Sequence, residues 1–290
     1  MFKRIMVPLD GSALAEQVLP AVTELARAFG SEVAVVGICG AEDRDENEAC
    51  VLYTGRKGDD IRGMLSGSKA TVKTIVIPGS AAEQILSYAR TEAVGLIFLC
   101  SHGRSGIMRW SLGSTVDKVL RKAETALIIV RAMEPPSAGH LFSRILVPLD
   151  GSESSVAVLP QVAEAACRLN SQVLLMRVIE PGVRIRTIGG LDYVPFRERD
   201  AAAARTEMMR YLDNQADELS RAAAMVSCEV RQGDAAREIL ALADERGCTL
   251  IAMSSHGHSR IRRWSMGSVT SKIVQASSQS IWLVPSFFKE

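Results

Sequence analysis

Nine residues near the start of the chain, Arg4-Ile-Met-Val-Pro-Leu-Asp-Gly-Ser12, return almost unchanged as Arg144-Ile-Leu-Val-Pro-Leu-Asp-Gly-Ser152. A later stretch, Ser101-His102-Gly103 running to Gly113-Ser114, returns as Ser255-His256-Gly257 running to Gly267-Ser268. This duplication constrains the fold more than any other feature, because it makes the 290 residues two copies of one module. The first pair of segments is offset by 140 residues and the second by 154, so the second copy carries an insertion between them. The expected domains are 1–132 and 142–286, joined by a linker that contains Pro135, Pro136 and Gly139.

Within the first copy, Ile5-Met6-Val7 is a short apolar run ending at Pro8, the pattern of a strand buried in a parallel sheet. Asp10-Gly11-Ser12 turns the chain and offers Ser12 as a helix cap. Leu14, Val18, Val22 and Leu25 share one helical face up to a stop at Gly30. Pro20, matched by Pro160, predicts a kink in that helix. Further strands are expected at 33–36, 72–77, 96–99 and 126–130, with helices from a Ser80/Glu83 capping box to about Ala93 and from Ser114 to about Ala123. The second copy gives strands at 145–147, 173–178, 226–231, 249–253 and 280–284, and helices at 153–169, 235–246 and 268–276.

One asymmetry stands out. Residues 41–68 are polar and hold Gly55, Gly58, Gly63 and Gly67, which predicts a loop with at best a short helix. In the second copy, Arg197 to about Ala224 is rich in Ala, Glu and Arg at helical spacing and predicts an amphipathic helix. On this reading the first copy is trimmed and the extra helix is the insertion. Strands alternating with helices imply an α/β fold, doubly wound about a parallel sheet with right-handed crossovers.

Charge excludes several function classes. Thirty-four Lys and Arg against thirty-three Asp and Glu are mixed rather than blocked, so no basic field points to nucleic acid and no basic amphipathic segment points to a membrane surface. Apolar runs stop far short of a membrane span. The N-terminus reads as a first strand rather than a signal peptide. Six cysteines form no CxxC pair and four histidines no metal-ligand spacing, so the cytoplasm is the expected compartment.

In an open parallel sheet, ligands bind beyond the carboxyl ends of the strands, where the strand order reverses. The strand-end features here are Pro8-Leu9-Asp10, Gly37-Ile38-Cys39 and Cys100-Ser101-His102-Gly103, which converge if the first and fourth strands are neighbours. An aspartate there accepts from ribose hydroxyls, an apolar backbone such as Ile38 flanks a base, and the amides of Gly103 and Gly113-Ser114 at a helix start take phosphates. The set suits a nucleotide. Blander roles stand beside it: His102 and His256 as braces of the turn, Trp110 and Trp264 as packing or interface residues, Cys100 as a buried small side chain, and Gly55-x-x-Gly58 as loop.

Both halves resemble the universal stress protein family. The carriers are Ile-Met-Val-Pro-Leu-Asp-Gly-Ser with Ser-His-Gly-x9-Gly-Ser-Thr-Val in the first, and Ile-Leu-Val-Pro-Leu-Asp-Gly-Ser with Ser-His-Gly-x9-Gly-Ser-Val-Thr in the second. The resemblance covers nearly the whole chain. It implies two Rossmann-like domains related to adenine nucleotide alpha hydrolases, each a five-stranded parallel sheet of order 3-2-1-4-5 with helices on both faces. The ATP-binding branch carries Gly-x2-Gly-x9-Gly-Ser/Thr, and here Cys100 and Ser254 replace its first glycine. Position by position, Asp10 and Asp150 match the ribose-side aspartate, and Ile38 and Val178 the residue whose backbone meets adenine. Gly103, Gly113 and Ser114, with Gly257, Gly267 and Ser268, match phosphate positions. Pro8, Ser12, Cys100, His102 and Thr115 complete the first candidate crevice, and Pro148, Ser254 and Val269 the second. The turns differ beyond the shared glycine: Arg104 and Gly106 in the first copy, His258 and Arg260 in the second.

The resemblance implies ATP or AMP, with or without magnesium, bound by a cytoplasmic stress-response protein that changes its partner contacts accordingly. It also implies pairing of 126–130 with 280–284 in an intramolecular pseudo-dimer, and chains that associate further as homodimers. Two alternatives remain open. One is an enzyme that cleaves ATP or adenylates a substrate. Against it, the chain has no Ser-Gly-Gly-x-Asp-Ser loop, no Walker lysine and no paired carboxylates for a metal. The other is a nucleotide-free scaffold whose glycines serve packing alone.

Overall fold

The computed structural model describes residues 2–40, 44–103, 112–132, 140–180, 182–187, 190–195, 198–221, 225–255 and 266–285. The first module runs β1 (Arg4–Leu9), a 3-10 turn (Ala15–Val18), α1 (Leu19–Phe29), β2 (Glu32–Cys39), α2 (Arg44–Met64), β3 (Thr71–Pro78), α3 (Ala81–Thr91), β4 (Leu96–Cys100), α4 (Ser114–Lys122) and β5 (Ala126–Val130). The second runs β6 (Arg144–Pro148), α5 (Glu153–Val156), α6 (Leu159–Leu169), β7 (Gln172–Ile179), β8 (Gly182–Thr187), β9 (Gly190–Pro195), α7 (Glu198–Ser220), β10 (Met225–Gln232), α8 (Ala235–Glu245), β11 (Leu250–Ser254), α9 (Ser268–Ala276) and β12 (Ser280–Val284).

Ten strands form one sheet in the order β10-β7-β6-β11-β12-β5-β4-β1-β2-β3. Each module therefore contributes its first strand between its second and fourth. Pairing is parallel throughout the sheet except where β5 meets β12 antiparallel, with Leu127, Ile128 and Ile129 opposite Leu283, Trp282 and Ile281. The central strands are buried on both faces and read as apolar runs, as an internal parallel sheet requires. Alternate residues divide into two cores. Ile5, Val7, Val33, Val35 and Phe98 face α1 and α2, with their second-module counterparts facing α6 and α7. Met6, Ala34, Ile97, Leu127 and Ile129 face α3 and α4, with α8 and α9 on the same side.

Four sequence expectations are corrected. Residues 44–64 form a 21-residue helix, so the first copy is not trimmed and Gly55 and Gly58 are not loop. A Cβ on Gly58 would overlap the Thr74 methyl of β3, so this glycine lets the helix lie close on the sheet. Close packing overrides the roughly 1 kcal/mol that each glycine costs a helix. The insertion in the second copy is instead the β8–β9 hairpin, an antiparallel pair outside the main sheet. Pro20 and Pro160 do not kink a helix; each sits at the first turn of an α-helix preceded by a separate short turn, where a missing N–H costs nothing. Ser80 is the N-cap residue of α3 but its hydroxyl caps no amide, so the capping box is not formed.

Candidate functional site

In the first module, β1 pairs with β4 only at Ile5–Leu96 and Met6–Ile97. Its pairing with β2 continues to Leu9–Gly37, and β4 with β5 to Cys100–Val130. The two central strands thus splay beyond Met6, and Pro8, which has no N–H to give, lies on the diverging stretch. The second module repeats this: β6 meets β11 only at Ile145–Leu250 and Leu146–Ile251, and Pro148 follows. A crevice opens at the strand-order reversal of each module.

On one wall stands the turn after β1. Asp10 Oδ1 accepts from the Ser12 amide (3.0 Å) and hydroxyl (2.7 Å), and Ser12 Oγ accepts from the Ala15 amide (3.1 Å). Gly11 supplies the left-handed residue of this turn, at φ 86°. With Oδ1 committed to the turn, the other oxygen points across the crevice: a Cβ on Gly103 would overlap Asp10 Oδ2. Only glycine lets the second wall approach that carboxylate. Asp150 is held likewise by Ser152, at 2.9 Å and 2.6 Å, but is exposed where Asp10 is half-buried.

The second wall is the end of β4 and the start of α4. Gly113 N–H donates to the Ser101 carbonyl at 2.9 Å, and Gly267 to Ser255 at 3.2 Å. Neither α4 nor α9 has a side-chain cap from its N-cap residue, a glycine in both, and among the described residues no side-chain acceptor is seen for the opening amides at Ser114–Thr115 and Ser268–Val269. Such amides with the helix dipole behind them favour an anion. His102 is buried and its Nδ1 bonds Ser101 Oγ at 3.0 Å, which fits a brace for the turn. Cys100 is 8% exposed, sits in the core that also holds Ala15 and Val18, and has its thiol pKa raised by burial. Ser254 takes the matching place and donates to the Ser155 carbonyl at 3.4 Å. These side chains are spent on the helix-side core.

Ile38 and Val178 lie at the ends of β2 and β7, one strand away from the aspartates, and pack on the α3 and α8 side. Gly257, the histidines His256 and His258, Arg104, Gly106, Arg260, Trp110 and Trp264 lie outside the described residues. Sequence reasoning missed Arg177, the counterpart of Gly37 at the 140-residue offset. Its Nη2 donates to the Asp150 carbonyl at 3.2 Å and its guanidinium lies 4.9 Å from the Tyr211 ring centroid. Aligning the copies at their offset shows this exchange of glycine for a cation at the rim of the second crevice. Among the described residues, no group of three His, Cys, Asp or Glu is placed to hold a metal ion. No described helix is long and apolar enough to cross a membrane.

Comparison with known proteins gives the setting. The model of the universal stress protein family matches residues 1–131 and again 141–285. Among curated proteins, the universal stress protein YxiE of Bacillus subtilis is 27% identical over 147 residues, 50% of this chain and 99% of its own length. The universal stress protein MJ0577 of Methanocaldococcus jannaschii is 23% identical over 155 residues, 45% of this chain and 96% of its own. Among solved structures, a universal stress protein from Archaeoglobus fulgidus covers 99% of this chain and 100% of its own at TM-score 0.69 and 16% identity. One from Pseudomonas aeruginosa covers 98% and 93% at TM-score 0.71 and 12% identity. These last two likenesses are of fold.

Proposed function

We propose that this chain, which belongs to the universal stress protein family through both of its modules, binds adenine nucleotide (ATP or AMP) at its strand-end crevices and acts through contacts that change with the bound nucleotide. The observation that carries the reading is the apposition, across the β1–β4 splay, of the Asp10 carboxylate with Gly103 and the uncapped start of α4. A carboxylate takes ribose hydroxyls, and orphan helix amides take phosphate oxygens. The two stand on opposite walls of one crevice. In this reading Ile38 meets the base through its backbone, Pro8 and Ser12 shape the ribose side, and Gly113, Ser114 and Thr115 take the phosphates. Asp150, Val178, Gly267, Ser268 and Val269 do the same in the second module. Magnesium, where present, rides on the phosphates. The first site is the stronger, because Asp10 is half-buried and Gly37 stands where the second module has the Arg177 cation. Arg177 lies 2.5 Å from where a Cβ on Gly151 would stand. The protein is a binding module rather than an enzyme, works in the cytoplasm, and pairs as whole chains.

The test is to release small molecules from purified protein and identify them by mass, with Gly113→Asp as control. Position 113 is the helix N-cap, with 3.4 Å from a built Cβ to the Ser101 carbonyl. An aspartate there suits the cap, keeps the helix, and puts a negative charge where phosphate would lie. Adenine nucleotide recovered from the wild type alone supports the reading. No nucleotide and no uptake of added ATP overturns it, and sustained turnover of ATP favours the enzyme instead.

A further inference from the structure

Helix α9 is held at both ends by features that belong to different modules. Its N-terminus, Gly267–Ser268, is the uncapped start that faces the second crevice. Its C-terminal turn is gripped from the first module, where Arg131 Nη2 donates to the Val274 carbonyl. Carbonyls in a last helical turn lack intrahelical donors, and a cation is favoured there by the helix dipole. Arg131 is partly buried, and burial pushes its pKa below the ordinary guanidinium value. The helix end is the described group that compensates for placing a charge there.

Arg131 is tied just as closely to the first site. Its own N–H donates to Ser280 Oγ at 3.1 Å. On one side of it in sequence, the Val130 carbonyl accepts from the Ser101 amide at 2.8 Å. On the other, the Ala132 amide donates to Ser101 Oγ at 2.9 Å. That same Ser101 bonds His102 Nδ1 and accepts from Gly113 N–H, the two residues that shape the first phosphate turn. One serine therefore joins the first site's turn to the strand end that carries Arg131, and Arg131 reaches the helix whose far end is the second site. The link is not reciprocated. At the 154-residue offset, Arg131 corresponds to Pro285 and Val274 to Leu120. A proline has neither a side-chain donor to reach a helix end nor a backbone N–H to bond a strand neighbour.

We propose that Arg131 is a positioning residue that couples the two crevices: ligand at the first site orders the Ser101–Gly103 turn, and Arg131 passes that order to α9, tightening nucleotide binding at Gly267–Ser268. The ligand rests on the function proposed above, whereas the mechanical link does not. The sign follows from ordering, since a turn already fixed by one ligand leaves less conformational entropy for the next to remove.

The experiment uses the full chain and two readouts. Gly103→Ala closes the first site, because its Cβ would overlap the Asp10 carboxylate. Without nucleotide, exchange of the α9 amides bonded within the helix, from Ser271 onward, is expected to quicken about fivefold on Gly103→Ala, and not to change further when Arg131→Met is added. With ATP, the second site is expected to weaken about fivefold when the first is closed, within the usual range of coupling between sites. Arg131→Met removes that difference and Arg131→Lys keeps part of it. Should Arg131→Met fail to fold, Ser101→Ala weakens the same link from the first-site side by removing the hydroxyl that bonds the Ala132 amide and His102. Exchange and affinity that respond to Gly103→Ala equally with and without the link overturn the proposal. An Arg131-dependent exchange response with no ATP uptake upholds the link and overturns the nucleotide reading alone.

Discussion

Cys100 and Ser254 stand at matching places in the two copies, where the pattern that the sequence resembles has glycine, and both side chains are buried. Cys100 lies in the same apolar core as Ala15, whereas Ser254 donates to the backbone carbonyl of Ser155, the counterpart of Ala15 at the 140-residue offset. Cys100→Gly removes a buried sulfur and loosens a strand end, which costs about 1–2 kcal/mol. Because the side chain points into the core, ATP affinity should stay within about twofold. Urea unfolding and an ATP titration check both halves, and a tenfold gain in affinity would place the thiol in the crevice instead. Asp10, Gly103 and Gly113 were legible in the sequence because both copies carry them. Arg177 and Arg131 were not, because duplication draws attention to what the copies share. These two arginines stand where the copies differ, opposite Gly37 and Pro285.

At the scale of elements, the same bias explains the misplaced insertion. Helix propensity favours residues 198–220 and disfavours 44–64, so the sequence suggested a helix in one copy and a loop in the other. Yet α2 and α7 lie at the same 154-residue offset as the strands that follow them, β3 and β10. The offset changes between β7 and α7, where the hairpin stands. Caps show a finer difference between the copies. Asp234 accepts from the Arg237 amide at 3.0 Å and caps α8, whereas Ser80 caps no amide of α3. The Arg237 amide, with help from Lys272, lowers the Asp234 pKa below its ordinary value of 3.8. A lowered carboxylate pKa stabilises the fold above the unfolded value and is lost as pH falls through the folded one. Asp234→Ala should therefore cost about 1 kcal/mol near neutral pH and less in acid, once the pH has fallen through the lowered Asp234 pKa, while Ser80→Ala costs only a few tenths. Denaturant midpoints of the variants at the two pH values measure this. An Asp234→Ala loss that persists unchanged in acid would mean that the cap works without its charge.

The molecule as a whole is organised about one residue pair. Ile128 and Trp282 face each other in the antiparallel join of β5 and β12, and they are also repeat counterparts at the 154-residue offset. A pseudo-two-fold axis therefore passes between them. Trp282 is fully buried, and Phe2 and Phe142, themselves counterparts in the two copies, approach it at ring-centroid distances of 5.8 Å and 6.4 Å. Beside them α6 reaches α1, with Arg168 over the Phe29 ring at 4.8 Å and bonded to the Ala28 carbonyl at 3.0 Å. Both cores include buried residues of both modules, so on each face of the sheet the apolar packing runs on across the join. A sheet joined this way should unfold as one unit. Trp282→Ala opens a cavity on the axis and removes the contact that Phe2 and Phe142 share, at a cost of about 3–5 kcal/mol. The loss falls on the join rather than on either module's own helices, so calorimetry should show one transition in the wild type and two in the variant. Trp282→Phe, which fills most of the space and removes an indole N–H that has no described acceptor, should keep the single transition. Two transitions already present in the wild type would mean that the modules are stable apart, and that the shared core adds little to what each copy achieves alone.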